Sequence, residues 1–463
     1  MKTKITFLIA VLFLSVSFIT VQAQGQEEDM NTLSIFAEYV KAKNYDAAYQ
    51  PWMELRQRNP KFHLSIFTYG DDILEHKIEN SSGSEKTGYI NDLLKLYDER
   101  LENFASKTDK GETLAKKAQL MYDYKDDLGK SDLDLYNAFD KAYTTDPETF
   151  TNPKSLYTYF KLMVNLYDSK AKPAEELFTK YDEVAEKVES EVKNYTQNLN
   201  KYVSADGEEE KQLSKKDAQR VKSYSSYLKA YDQISSGMDK DLGDRANCEN
   251  LIPLYEKNYD GNKSDALWLQ RAMNRLYSKE CTDSDLFVKI VEQKNTVKPD
   301  ANTAYYLGIL KDKAGDKDAA LSYYNQAVSL ESDNYEKARI LYRIAKNFKD
   351  KGQYGQARSY YYKALEANPS MGGAYLAVAA MYASSANNCG DDNFSKRAVF
   401  WLAAQEAAKA GRVDPNLRSA SSKTVANYNS KAPQKSEVFS SGRSGETISI
   451  GCWIGRSVKV PSL

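Results

Sequence analysis

The sequence has 463 residues, enough for two or three domains or for one elongated array. With 28% charged residues, a formal net charge of −1 and a mean hydropathy of −0.66, it reads as soluble and carries neither a basic stripe for nucleic acid nor a strongly basic face for anionic lipid. Tyrosine stands out, with 35 residues against 16 Phe and 4 Trp; such rings fill helix–helix seams while keeping the hydroxyl wet, which suits a thin, much-exposed architecture.

Lys2 and Lys4 precede the apolar run ITFLIAVLFLSVSFI, and Val21 and Ala23 place small side chains where a signal peptidase reads. Residues 1–23 are therefore expected to be a signal peptide cleaved after Ala23, which takes the formal charge from −1 to −3. The run is short for a span, and no later stretch is apolar enough to be one, so no transmembrane segment is expected after cleavage. Export places Cys248, Cys281, Cys389 and Cys452 where disulfides persist.

Residues 24–245 read as an N-terminal region of irregular helical repeats. In KNYDAAYQPWMELRQRNP, Tyr45, Ala48, Trp52, Leu55 and Pro60 fall at the spacings of a helical-hairpin unit, and DLYNAFDKAYTTDP repeats the pattern with Phe139, Ala142 and Pro147. Between and after them, IFTYGDDILEH with GYINDLLKLYDERLENF, and SLYTYFKLMVNLYDS with PAEELFTKYDEVAEKVESEVKNY, read as further helix pairs. SADGEEEKQLSKKDAQR is polar throughout and reads as a charged, solvated connection between two long helices.

Residues 246–300 form a helical-hairpin region: a helix from Cys248, a turn at DGNKS, and a second helix ending before Cys281. The start of the first helix and the end of the second lie at one end of such a hairpin, so Cys248 and Cys281 can meet; by elimination Cys389 faces Cys452. The other two pairings stay open from sequence. A metal site is not expected, because the thiols lack CxxC spacing and a neighbouring His.

Residues 301–425 carry the clearest signal. Segments 301–332 and 338–369 align with Gly315 over Gly352, Ala320 over Ala357, Tyr324 over Tyr361 and Ala327 over Ala364, each pair 37 residues apart. Gly permits the turn between helices, Ala lets two axes approach, and the aromatic fills the space between neighbouring hairpins. A third copy starts at Gly372, is interrupted by ANNCGDDN with Cys389, and resumes as FSKRAVFWLAAQEAAKA. The pattern resembles the tetratricopeptide repeat (TPR), a pair of antiparallel helices of about 34 residues. The order of LLKLYDERLENF, CENLIPLYEKNY, SKECTDSDLFVKIVE, the repeat pair, the CG insert and IGCWIGRSVKVP resembles exported TPR proteins of Bacteroidetes-type Gram-negative bacteria. That resemblance implies a protein of the periplasm or peripherally associated with the outer membrane.

Residues 426–463 read as a linker and a β clasp. ETISIGCWIGRSVKV gives two short strands around Gly451 or Gly455, with Trp453 and Ile454 lying against the last helical hairpin and a Cys389–Cys452 bond as tether. A strand offered to a partner's sheet edge is the alternative.

The residue inventory offers no chemistry. His63 and His76 fit no ligand spacing, HExxH and GxSxG are absent, and GRSGETIS lacks the Lys of a phosphate loop. Asp391, Asp392 and Asn393 lack the alternating donors of a calcium loop, and Asn393 or Asp392 is better placed to cap the next helix. No catalytic residue, cofactor or metal is expected, and the chain is not read as an enzyme.

Binding is expected instead on the first helices of the repeats, where Asn302, Tyr305, Ile309 and Asp312 of one copy and Arg339, Tyr342, Lys346 and Lys349 of the next face the groove. The Lys and Asn with which some TPR domains clamp a C-terminal carboxylate are replaced by tyrosines at the fifth position and by Ile309 and Lys346 at the ninth, so the groove suits an extended or helical peptide of acidic character. Tyr305 and Tyr342 packing in the seam is the alternative. The expected architecture is all-α, an α-solenoid of TPR and TPR-like hairpins closed by the β clasp. The expected role is a periplasmic protein–protein scaffold or accessory subunit of an outer-membrane secretion, assembly or uptake complex, with glycan or peptidoglycan binding through exposed tyrosines as the alternative.

Overall fold

A computed structural model describes residues 25–204 and 206–463; the expected signal peptide lies outside the described residues. The chain divides into two compact units, Met1–Lys187 and Val188–Leu463. The division falls inside the long helix Ala174–Asn200.

The first unit is a succession of antiparallel helices. After a helix over 25–41, Asn44 caps Tyr45–Arg58 by accepting from the Ala47 amide, and Ser65–Glu79, Gly83–Asn103, Lys110–Asp123, Asp132–Thr145 and Pro153–Asp168 follow. Ser131 and Asp134 form a reciprocal capping box, and Asn152 with Pro153 starts the next helix, the residue types that satisfy or forgo the orphan amides of a first turn. Ala48, Trp52 and Leu55, picked out by their spacing, are fully buried among Phe36, Ile66, Phe67 and Ile73. The Trp52 indole N–H donates to the Ile66 carbonyl at 2.7 Å. Gly70 makes room for the ring: a Cβ there would lie 2.6 Å from it. Phe139 and Ala142 of the second hairpin motif are equally buried.

In the second unit the helix Lys215–Leu242 leads to the hairpin Cys248–Asn262 and Ala266–Ser278, then to Asp285–Val297. Cys248 and Cys281 are bonded, with Cα atoms 5.5 Å apart, the pairing that the hairpin geometry favoured. Three hairpins follow: Ala301–Lys313 with Lys317–Leu330, Asn334–Asp350 with Tyr354–Ala367, and Gly372–Ser384 with Asn393–Val413. Gly315 and Gly352 adopt φ values of 82° and 73° at the turns, where a side chain would be strained. Ala320, Ala357, Ala327 and Ala364 are buried at the crossings. Asp392 caps the last of these helices by accepting from the Ser395 amide at 2.6 Å.

The helix Arg418–Lys431 is largely solvated, with Ser421 its buried residue. Beyond Lys435–Ser441, strands Thr447–Ile450 and Arg456–Lys459 pair antiparallel with Ile448 opposite Val458. Ile448, Ile450, Ile454, Val458 and Val460 are buried. Trp453 sits against the repeats, its ring 5.4 Å from both Tyr354 and Tyr382 and its N–H donating to Ser385 Oγ at 2.9 Å. Arg358 donates to the Ile454 carbonyl at 2.5 Å, and Cys452 is bonded to Cys389. The β segment is thus a clasp over the second and third hairpins. The architecture is all-α, built from TPR and TPR-like hairpins, with this short sheet at its C-terminal side.

Candidate interaction face

The first helices of the repeats bring the expected groove residues together unequally. Tyr305 is 1% exposed. Its hydroxyl lies 2.8 Å from that of Tyr277 on the preceding hairpin, and its ring meets Tyr324. The Arg343 guanidinium lies 4.2 Å from its centroid and also faces Tyr277 and Tyr306 at 5.0 and 5.1 Å. It donates to the Tyr306 hydroxyl at 2.8 Å. Tyr305 therefore fills the seam and does not line an open groove, because elements on both sides close over it. Burial alone would depress the Arg343 pKa, but the electrostatic influence of the Tyr306, Tyr305 and Tyr277 hydroxyls and the hydrogen bond to Tyr306 hold it above the ordinary range. Sequence reasoning passed over Arg343, since an arginine between apolar residues reads as a solvated helix face.

Ile309 is also buried. Asp312 lies in a polar knot, accepting from Asn347 Nδ2 at 2.7 Å and from the Tyr324 hydroxyl at 3.2 Å and pairing with Lys351. Burial raises its pKa, yet Lys351 and Asn347 more than offset this and hold it below the usual value. Asn302 stays partly exposed and accepts from Arg343 at 3.4 Å.

On the second repeat, Tyr342 is half-buried and edge-on to Tyr361 with centroids 5.2 Å apart. Lys346 is exposed and Lys349 partly so, and both share Asp350, at 3.5 and 3.7 Å. Arg339 pairs with Glu336 and with Glu189 of the long helix. Lys193, one turn further along that helix, pairs with Asp333 at 2.9 Å. The chain's own helix thus engages the N-terminal end of the second repeat through Arg339, which stays partly exposed, and Asn302, Tyr342, Lys346 and Lys349 are the other accessible members of the expected set.

A cleft of about 110 Å³ lies between the first two repeats, lined by Asp312, Lys317, Tyr324, Phe348, Gln353 and Gln356. Small-molecule pockets run to roughly 300–1,000 Å³, so this volume suits a side chain better than a substrate. Among the described residues no group of three or more His, Cys, Asp or Glu stands in position to hold a metal ion, and no helix is long and apolar enough to cross a membrane.

Residues 302–334 and 338–371 match the tetratricopeptide repeat family model. The chain is similar to Photosystem I assembly protein Ycf3 of Acaryochloris marina (strain MBIC 11017), 33% identical over 88 residues, covering 19% of this chain and 52% of that protein. The counterpart from Cuscuta gronovii is 33% identical over 111 residues, 22% of this chain and 66% of its own length. The chain spans about half the length of the first of these relatives. Among solved structures it is similar to a tetratricopeptide repeat protein from Parabacteroides merdae ATCC 43184, at 12% identity over 68% of this chain and 97% of that one, with a TM-score of 0.26. Yeast Tom70 gives 13% identity over 88% and 77%, with a TM-score of 0.26. The chain described here carries tetratricopeptide repeats, the architecture of a protein–protein interaction scaffold.

Proposed function

We propose that this chain is an exported scaffold of the periplasm, peripherally associated with the outer membrane, serving as an accessory subunit of a secretion, assembly or uptake complex. The observation that carries the scaffold reading is the pair of consecutive repeats with Tyr342, Lys346 and Lys349 accessible on a rigidly packed frame. Partial aromatic exposure beside surface lysines is the chemistry of an interface anchored on a few residues, and the basic side chains favour a partner segment with acidic character. Export is supported by the Lys2, Lys4 and apolar-run pattern and by two disulfides, which persist in oxidising compartments. A glycan partner is less favoured, because among the described residues only Tyr39 and Tyr227 are well-exposed tyrosines, which leaves few open ring faces to stack on sugar.

The test is crosslinking in intact cells followed by capture from the outer-membrane fraction, comparing the parent with a Lys346→Glu, Lys349→Glu variant. A stoichiometric protein crosslinked to the parent and lost from the variant is expected. Recovery of the chain only from cytoplasm, or equal yields of crosslinked partner from parent and variant, overturns the reading.

A further inference from the structure

The connection SADGEEEKQLSKKDAQR reads from sequence as solvated and is exposed over 208–216, yet Asp206–Glu210 is anchored to the third hairpin and the helix after it. Among its described residues, the Asp206 carbonyl accepts from the Tyr375 hydroxyl at 2.8 Å. Arg412 donates to the carbonyls of Gly207 and Glu208 at 2.7 and 2.6 Å. Lys409 pairs with the Glu208 carboxylate at 2.6 Å and Arg418 with that of Glu210 at 2.6 Å. Gly207 has φ +65°, and a Cβ there would lie 3.2 Å from Lys409 and Val413 and 3.3 Å from the Tyr375 hydroxyl, so the segment lies flush on the surface.

The receiving residues are themselves held in place. Lys409 is mostly buried, with its ammonium 3.5 Å from the carboxylate of Glu406. Glu406 is 3% exposed, accepts from the Tyr362 hydroxyl at 3.1 Å and lies 3.5 Å from Arg456 of the clasp. The clasp therefore helps to orient Lys409. Every contact to the segment runs from a side chain of the repeat or the following helix to a backbone carbonyl or a carboxylate of the loop. Such contacts recognise extended backbone bearing acidic side chains, and none of them depends on the segment being covalently part of the chain.

We propose that Tyr375, Lys409, Arg412 and Arg418 form a docking site for an extended acidic peptide of a partner protein, and that Asp206–Glu210 holds this site in the free chain until the partner displaces it. The site shares no residue with the Tyr342, Lys346 and Lys349 face and does not rest on the reading of that face.

The probe is a fluorescein-labelled, end-blocked peptide Asp-Gly-Glu-Glu-Glu-Lys, titrated into the full chain at low ionic strength and followed by anisotropy. Glu208 and Glu210 are well exposed, so Glu208→Gln with Glu210→Gln releases the intramolecular competitor without disturbing the core. That variant is expected to bind the peptide about three- to tenfold more tightly than the parent, the competent fraction having risen by that factor. Adding Arg412→Gln and Arg418→Gln is expected to remove the gain, and raised salt to weaken binding. Saturating peptide is also expected to speed amide hydrogen exchange at Gly207–Glu210 of the parent. Equal affinity of parent and double Gln variant, with unchanged exchange at Gly207–Glu210 in the presence of peptide, overturns the proposal; so does a gain that survives the two Arg substitutions. A partner captured through Lys346 and Lys349 alters none of these outcomes.

Discussion

Replacing Trp453 with Ala tests whether the β segment is a clasp. The ring faces Tyr354 and Tyr382, both at 5.4 Å, and each aromatic pair contributes about 0.5–1.5 kcal/mol beyond its buried area. Arg358 lies 5.4 Å from its centroid, adding about 0.5–1 kcal/mol, and the hydrogen bond to Ser385 Oγ adds about 1 kcal/mol. These contributions overlap and the indole is only half-buried, so the expected loss is about 2–4 kcal/mol, at or below the ~3–5 kcal/mol of Trp truncation in a closed core. For a unit of this size that is a fall in Tm of about 4–8 °C. Thermal denaturation gives the total. Hydrogen exchange locates it, with faster exchange expected in Tyr354–Ala367 and Gly372–Ser384, the helices under the ring. Trp453→Phe keeps a ring and removes the donor, and is expected to recover more than half of the loss. A Trp453→Ala variant that melts with the parent and leaves exchange in both helices unchanged would refute the clasp.

Three other predictions rest on single contacts. Gly308→Ala places a Cβ 2.5 Å from the Tyr324 ring and should cost about 1–3 kcal/mol by overpacking, whereas Gly355→Ala meets nothing within 4 Å and should be neutral or slightly stabilising by urea denaturation. Asp312 has a folded pKa below its ordinary value of 3.8, so the folded state binds fewer protons than the unfolded one. Its contribution is present above that value and lost as pH falls through the lower folded pKa; acid titration of stability should be shallower there for Asp312→Asn. Replacing Cys389 and Cys452 together by Ser opens a cross-link spanning 63 residues and should cost about 2–4 kcal/mol, with faster proteolysis around Gly442–Gly445; unchanged cleavage there would contradict the tether.

The features legible in the sequence are those that local backbone geometry imposes. Gly315 and Gly352 mark turns because a left-handed residue is needed there; Ala320 and Ala357 mark crossings because a larger side chain would part the helices. The Cys248–Cys281 bond follows from the ends of one hairpin, and the Trp453 clasp from a change of period from 3.6 to 2. Capping by Asp392 was equally readable, since it lies three residues from the amide it accepts from.

What stayed hidden depends on segments far apart in the chain. Tyr305 looks like a groove residue until Tyr277 and Arg343 close over it. Glu189 and Lys193 look like solvated helix charges until they meet Arg339 and Asp333. Arg412 reaches Gly207 across 205 residues, and no local pattern announces that an acidic loop will lie on it. Sequence by itself determined the helices, their hairpin pairing and the β ending, because periodicity and capping act within a few residues. Only the tertiary structure decided which polar side chains are covered and which remain open to a partner, because burial of a charged group depends on what the rest of the chain lays across it.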